Sequence, residues 1–269
     1  RAIIIRQLVG MLDQDRVAAQ EQASAALANL AKESVDNRQS IVEAGGIPRL
    51  LALCGSPSAK AKENSMSAIS QLAYMSAKNQ ETIASASGIM ILVKTLFSAT
   101  SNAKETTGVK LCELTAAAIW NMACDNKANQ TAFLKEGVIP PMVGLVTNPV
   151  PEVMTNAAGA LASLAKDHPD NQAAIARSGA IPPLCTNVRD GTPETREESA
   201  AALWALAENN QINKATVAKL GGIEPLVNML MYGSTDKSSA NAGGALTALA
   251  TQHADNRLNI TKRMVGVLG

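Results

Sequence analysis

Apolar and small residues recur at helical spacing in a series of alanine-rich stretches: "ASAALANLA", "SMSAISQLA", "TAAAIWNMA", "AAGALASLA", "SAAALWALA" and "AGGALTALA". Leu27 and Leu30, Ile69 and Leu72, Ile119 and Met122, Leu161 and Leu164, Leu203 and Leu206, and Leu246 and Leu249 stand at i and i+3 within them. The period predicts a helix at each stretch. Shorter segments lie between, among them "IVEAGGIPRLLAL", "FLKEGVIPPMVGL", "IARSGAIPPLCTN" and "VAKLGGIEPLVNM". Aligning these puts Ile5, Ile47, Ile89, Ile139, Ile181 and Ile223 in one column, with steps of 42, 42, 50, 42 and 42 residues. A second column, Asn37, Asn79, Asn129, Asn171 and Asn213, steps by 42, 50, 42 and 42. One period thus carries eight extra residues, and after about 235 the register slips by one, with Asn256 standing 43 beyond Asn213.

Punctuation divides each period into three helices. Gly45, Gly137, Gly179 and Gly221 stand where a short helix stops in a left-handed conformation. Pro48, Pro140 and Pro182 follow in the first turn of a second helix, where a missing N–H costs nothing. Ser87 replaces the glycine in one unit, which predicts a weaker corner there. The alanine-rich stretch is the third and longest helix. No single unit buries its apolar face alone, so neighbours have to stack.

The roughly 42-residue period with "EAGGIPRL" or "SGAIPPL" followed by "ALANLA" or "AIWNMA" resembles the armadillo repeat family across nearly the whole chain. The resemblance implies an all-α fold, a right-handed superhelical α-solenoid with three helices per repeat. One solenoid over 1–269 is expected: a partial repeat at 1–36, five full repeats over about 37–255, and a partial repeat at 256–269. A HEAT array has a similar period but normally two helices per unit.

The chain contains two tryptophans, Trp120 and Trp204, both inside third helices. With the column Asn29, Gln71, Asn121, Ser163, Ala205 set to zero and roughly 100° per residue, the apolar positions centre near 120° and the tryptophans fall near 260°. The acidic column Glu21, Glu63, Glu113 and Glu197 lies near 280°, and the small residues Ala25, Ser67, Ala117, Gly159 and Ala201 lie near 320°, on the same rough scale. All three sets share a face turned away from the core.

In armadillo proteins the third helices line a concave groove that receives extended peptides or partner segments, and the resemblance carries that expectation here. Asn29, Gln71 and Asn121 are then candidates for pairing with a partner's backbone. Glu63, Glu113 and Glu197 are candidates for basic side chains, and Trp120 and Trp204 for an aliphatic stem or a cation. Bland alternatives stand beside these roles: each tryptophan can pack on the neighbouring third helix, and the glutamates can be solvated residues near a positive helix end. Import adaptors of the family carry Trp four residues before an Asn at the position of this zero column, where this chain has Ala25, Ser67, Ala117, Gly159 and Ala201. Trp120 directly before Asn121 is more like the catenin and vacuolar armadillo proteins.

Composition narrows the function classes. Lys+Arg 24 against Asp+Glu 23 gives a net charge of +1, which calls for neither a nucleic-acid surface nor an anionic membrane. Cys54, Cys112, Cys124 and Cys185 form no C-x-x-C pair and stand with only two histidines, so neither a metal site nor a disulfide framework is expected. Buried thiols in a reducing compartment are the simpler expectation. His168 and His253 fall in turns after third helices and are expected to be exposed. No P-loop, nucleophile elbow or dinucleotide fingerprint occurs, so no enzyme activity and no cofactor are expected. No apolar run is long enough for direct membrane insertion.

The extra residues fall in "FSATSNAKETTGVKLCEL" (97–114), expected as a lengthened turn for partner docking or for phosphorylation beside Lys104. The opening "RAIIIRQLVGML" reads as the inside of a helix in a longer chain. The sequence therefore predicts a non-catalytic scaffold or adaptor that binds an extended or helical protein segment, one bearing basic residues where carboxylates meet it. A cytoplasmic setting is expected, with attachment to a membrane surface through a lipidated preceding segment as the alternative. Two rival functions stay open: the substrate-recruiting arm of an enzyme such as a ubiquitin ligase, and a structural subunit of a large assembly.

Overall fold

The computed structural model describes residues 2–102 and 106–268. Lys104, named above beside the phosphorylation site, lies outside the described residues. All the regular structure among them is helical, and it divides into two compact units, Arg1–Val138 and Ile139–Gly269.

The first unit opens with α1 (Ala2–Met11) and α2 (Val17–Glu33), which occupy the second-helix and third-helix positions of a repeat. Two complete triplets follow: α3 (Val35–Glu43), α4 (Gly46–Leu53), α5 (Ala59–Ala73), then α6 (Ala77–Ser85), α7 (Gly88–Ser101), α8 (Thr106–Ala123). A first helix, α9 (Lys127–Lys135), ends the unit. The second unit begins with α10 (Ile139–Leu145) and α11 (Pro151–Ala165). The triplets α12 (Pro169–Arg177), α13 (Ile181–Asp190), α14 (Pro193–Ala207) and α15 (Gln211–Lys219), α16 (Ile223–Tyr232), α17 (Asp236–Ala250) come next, then α18 (Ala254–Leu268).

Third helices stack side by side within each unit, α2 on α5 and α5 on α8 in the first, α11 on α14 and α14 on α17 in the second. Second helices cover them: α4 on α5, α7 on α8, α13 on α14, α16 on α17. The expected core columns are buried, in α5 as Ser65, Ala68, Ile69, Leu72 and Ala73 and in α14 as Ser199, Ala202, Leu203, Leu206 and Ala207. Burial also reaches Met66, Ala116, Ala158 and Ala200, because a stacked third helix has a neighbour on its flank as well as a second helix over its core face. Small side chains let that flank close tightly, which accounts for a core with so few aromatics.

The turn from third to first helix repeats through side chains. Asn37, Asn79, Asn129, Asn171, Asn213 and Asn256 each donate from Nδ2 to a carbonyl seven residues earlier, at 2.8–3.1 Å. These carbonyls lie in the last turn of the third helix, where helical partners run out. The first helices start on side-chain caps: Ser34, Ser76, Asn126, His168, Asn210 and His253 accept from the backbone N–H three residues on. His168 is therefore not exposed as its sequence position suggests; it is 5% exposed, because Nδ1 caps α12 and draws the ring in. His253 is half-buried for the same reason.

At the corner between first and second helices, Gly45, Gly137, Gly179 and Gly221 take φ of 75–83°. Ser87 holds the same left-handed conformation at φ 63°. The described residues of the stretch 97–114 are mostly helical where a lengthened turn is expected. They extend two helices: α7 has 14 residues against 8 in α4, and α8 has 18 against 15 in α5.

Candidate functional site

The residues singled out on the third helices fall into two sets, one in each unit. In the first unit, Asn29 of α2 is exposed and Gln71 of α5 is half-buried. No hydrogen bond among the described residues engages either side chain, so both amides are available. Asn121 of α8 differs: its Nδ2 donates to the backbone O and the Oγ of Ser70 on α5, at 3.0 Å each. Both N–H groups of that amide are spent on stitching neighbouring third helices, and its backbone O accepts from Gln80 at 2.8 Å. Trp120, one residue before it, is half-buried.

The carboxylates are likewise partly committed. Lys110 donates to Glu113 at 2.7 Å along α8. Glu63 lies near both; burial pushes its carboxyl above the usual range, with Lys110 pulling it down and Glu113 pushing it up. Glu21 accepts from Ser58, the N-cap of α5, at 2.6 Å, and Glu197 accepts from Thr235, the N-cap of α17. Two asparagines complete this clamp: Asn64 donates to the Glu21 carbonyl at 3.0 Å and Asn241 to the Glu197 carbonyl at 2.9 Å. At these two positions the column joins a third helix to the start of the next, α2 to α5 and α14 to α17. Next to it, buried Glu198 receives Lys237; burial raises its carboxyl above the usual range and the lysine works against that rise.

In the second unit the zero column holds Ser163, Ala205 and Ala248, all buried, and offers no amide. Trp204 is 37% exposed. Its inner face lies on Gly244 of α17, where an added Cβ would stand 2.5 Å from Cε3 and 2.6 Å from Cδ2. Packing on the neighbouring helix and exposure to solvent therefore coexist at this ring.

Some residues that hold the face together do not stand out until the columns are read with the structure. Gln80 and Gln172, each directly after a turn Asn, donate to the last carbonyls of the following third helix: Asn121 and Cys124 for one, Ala205 and Glu208 for the other. Lys214, in the same column and 2% exposed, reaches the Thr251 carbonyl at 2.6 Å. The 42-residue step exposes this column, but only a packed neighbour says which carbonyls it serves.

None of the four cysteines is in a disulfide. Cys54, Cys112 and Cys185 are buried, and burial pushes their thiols up to about 12, 11 and 11. Cys124 departs from the expectation of buried thiols: it is exposed, because its helix has ended and Asp125 begins the turn in a left-handed conformation. Among the described residues no three His, Cys, Asp or Glu side chains are grouped to hold a metal, and no single helix is long and apolar enough to cross a membrane.

Two stretches, 34–74 and 168–208, match the model of the armadillo/beta-catenin-like repeat. No curated protein matches the chain. An engineered protein of known crystal structure superposes with a TM-score of 0.82 at 24% identity, covering 93% of this chain and 98% of the other. A designed armadillo repeat protein superposes at 0.81 with 23% identity, over 91% and 99% of the two chains. Another, in complex with the peptide (KR)4, does so at 0.78 with 22% identity, over 91% and 99%. At these identities the likeness is one of fold. With three helices per period, the glycine corners and the two matched stretches, the chain has the fold of the armadillo-repeat proteins, and over 34–74 and 168–208 it matches the armadillo/beta-catenin-like repeat itself.

Proposed function

We propose that this protein is a non-catalytic scaffold that binds an extended protein segment along the third helices of its first unit. The observation that supports this most is the pair of unengaged amides, Asn29 and Gln71, at the same register on adjacent stacked helices. An extended segment leaves its N–H and C=O groups unpaired, and a primary amide offers one acceptor and two donors to them. Asn121 contributes its remaining acceptor, Trp120 a partly exposed aromatic face, and Glu63 and Glu113 attraction for basic side chains. Glu197 and Trp204 would serve a separate contact on the second unit. A rigid stack costs little to order on binding.

The designed armadillo protein seen with (KR)4 makes a basic segment a sensible probe. The catenin and vacuolar proteins remain the better comparison for the groove, because Trp204 already covers the column position four before Ala248. A tryptophan there, as import adaptors have, would collide with it.

Selection from a random dodecapeptide library, alongside anisotropy titration of labelled (KR)4, tests the proposal. Peptides enriched in Lys and Arg should bind the native protein and lose roughly tenfold or more in affinity to Asn29→Ala/Gln71→Ala, with the melting temperature unchanged. Failure to enrich any peptide, or equal binding by the double variant, would sink it.

A further inference from the structure

Between α4 and α7 in the first unit a cleft of about 420 Å³ opens, floored by Leu51, Ile91 and Leu111. A smaller hollow of about 110 Å³ adjoins it and shares Lys62, Ser98 and Leu111. The corresponding second helices of the other unit, α13 and α16, pack directly on each other. The long period explains part of the difference, since Ser98 of the extended α7 and Leu111 of the extended α8 build the walls.

The seam between α10 and α13 shows a second difference. In the second unit Asn187 of α13, six residues after Ile181, donates to the carbonyl of Val146, seven residues after Ile139, at 2.9 Å. The same columns in the first unit hold Thr95 and Cys54, which line the cleft. The threonine side chain is too short to make the bridge that Asn187 makes to Val146.

The charge at the mouth is one-sided. Lys62 and Lys94 line the cleft, and no carboxylate among the described residues pairs with either. Neither α4 nor α7 contains an acidic residue. Glu63 lines the smaller hollow, and the cation that acts on its carboxyl is Lys110. An apolar hollow with two ammonium groups that no described carboxylate pairs with matches an apolar molecule with one anionic end, and its volume falls in the range of small-molecule sites. Cys54 offers no covalent chemistry, since its buried thiol donates to the Leu50 carbonyl at 3.5 Å.

We propose that this cleft binds a small amphiphile with a carboxylate head, its chain on Leu51, Ile91 and Leu111 and its head between Lys62 and Lys94. The site takes Lys62 and Leu111 from the starts of α5 and α8, uses neither Asn29 nor Gln71, and does not depend on the scaffold reading.

Calorimetric titration with decanoate tests it, with decyltrimethylammonium as the cationic counterpart. Decanoate should saturate a single site, and the cation should not bind. Lys62→Met/Lys94→Met should weaken decanoate roughly tenfold or more. Thr95→Asn, which restores the bridging amide, should close the cleft and abolish binding while the melting temperature holds or rises. The proposal is overturned if decanoate shows no saturable binding at millimolar concentration. It is equally overturned if either variant binds decanoate as the native protein does, or if the cation binds as well.

Discussion

At the scale of single residues, two contacts carry sharp consequences. Gly244 has no room for a side chain because the Trp204 ring lies over it. Gly244→Ala should cost about 1–3 kcal/mol through overpacking, and most of that cost should vanish in a Trp204→Ala background. A double-mutant cycle by urea denaturation checks this, and strict additivity would mean the ring is not held there. Glu198 supplies a pH dependence. Its folded carboxyl is raised by burial, so the folded state holds more protons than the unfolded state above the ordinary carboxylate value of 4.5. Stability should therefore be lost as pH rises through that window, the reverse of an ordinary salt-bridged carboxylate. Glu198→Gln keeps an acceptor for Lys237 and removes the titration, so its melting temperature should gain on the native protein as pH rises above the ordinary carboxylate value of 4.5. A gap that stays constant with pH would contradict the assignment.

At the scale of elements, the corners and turns do most to define the repeat. Ser87 occupies a left-handed corner that glycine fills in four other units. Ser87→Gly should raise the unfolding free energy by about 1 kcal/mol, measured against Gly137→Ala, which should lower it. The corner glycines, the first-turn prolines and the i, i+3 core were readable in the sequence because they are local consequences of backbone sterics and helical period. The lengthened α7 and α8 were not readable. "FSATSNAKETTGVKLCEL" is polar enough for a turn, and only packing against neighbouring helices makes helix the better state for its described parts. The depth of His168 was hidden likewise, since a histidine cap looks no different in sequence from a histidine in a loop.

At the scale of the whole molecule, the two units differ in chemistry although their repeats match. The amides of the zero column, Asn29, Gln71 and Asn121, fall in the first unit, while the second holds Ser163, Ala205 and Ala248. Thiol chemistry reports on both units: Cys124 is exposed, whereas Cys54 and Cys112 are buried in the first and Cys185 in the second. An aromatic disulfide reagent at about pH 8 should modify one thiol rapidly in the native protein and the other three only as their units unfold. Rapid reaction of a second thiol would show that a unit opens locally. The sequence by itself determined the helical class, the period, the three-helix repeat and the face on which the tryptophans and carboxylates lie. Those are properties of local sterics and of spacing along one chain. Tertiary structure alone decided which polar groups on that face remain available. Asn29 and Asn121 are the same residue in the same column, yet one is unengaged and the other has both N–H groups bound to Ser70. Whether a hydrogen-bonding group is spent depends on what a neighbour 51 residues away presents to it, and no pattern within a single repeat encodes that.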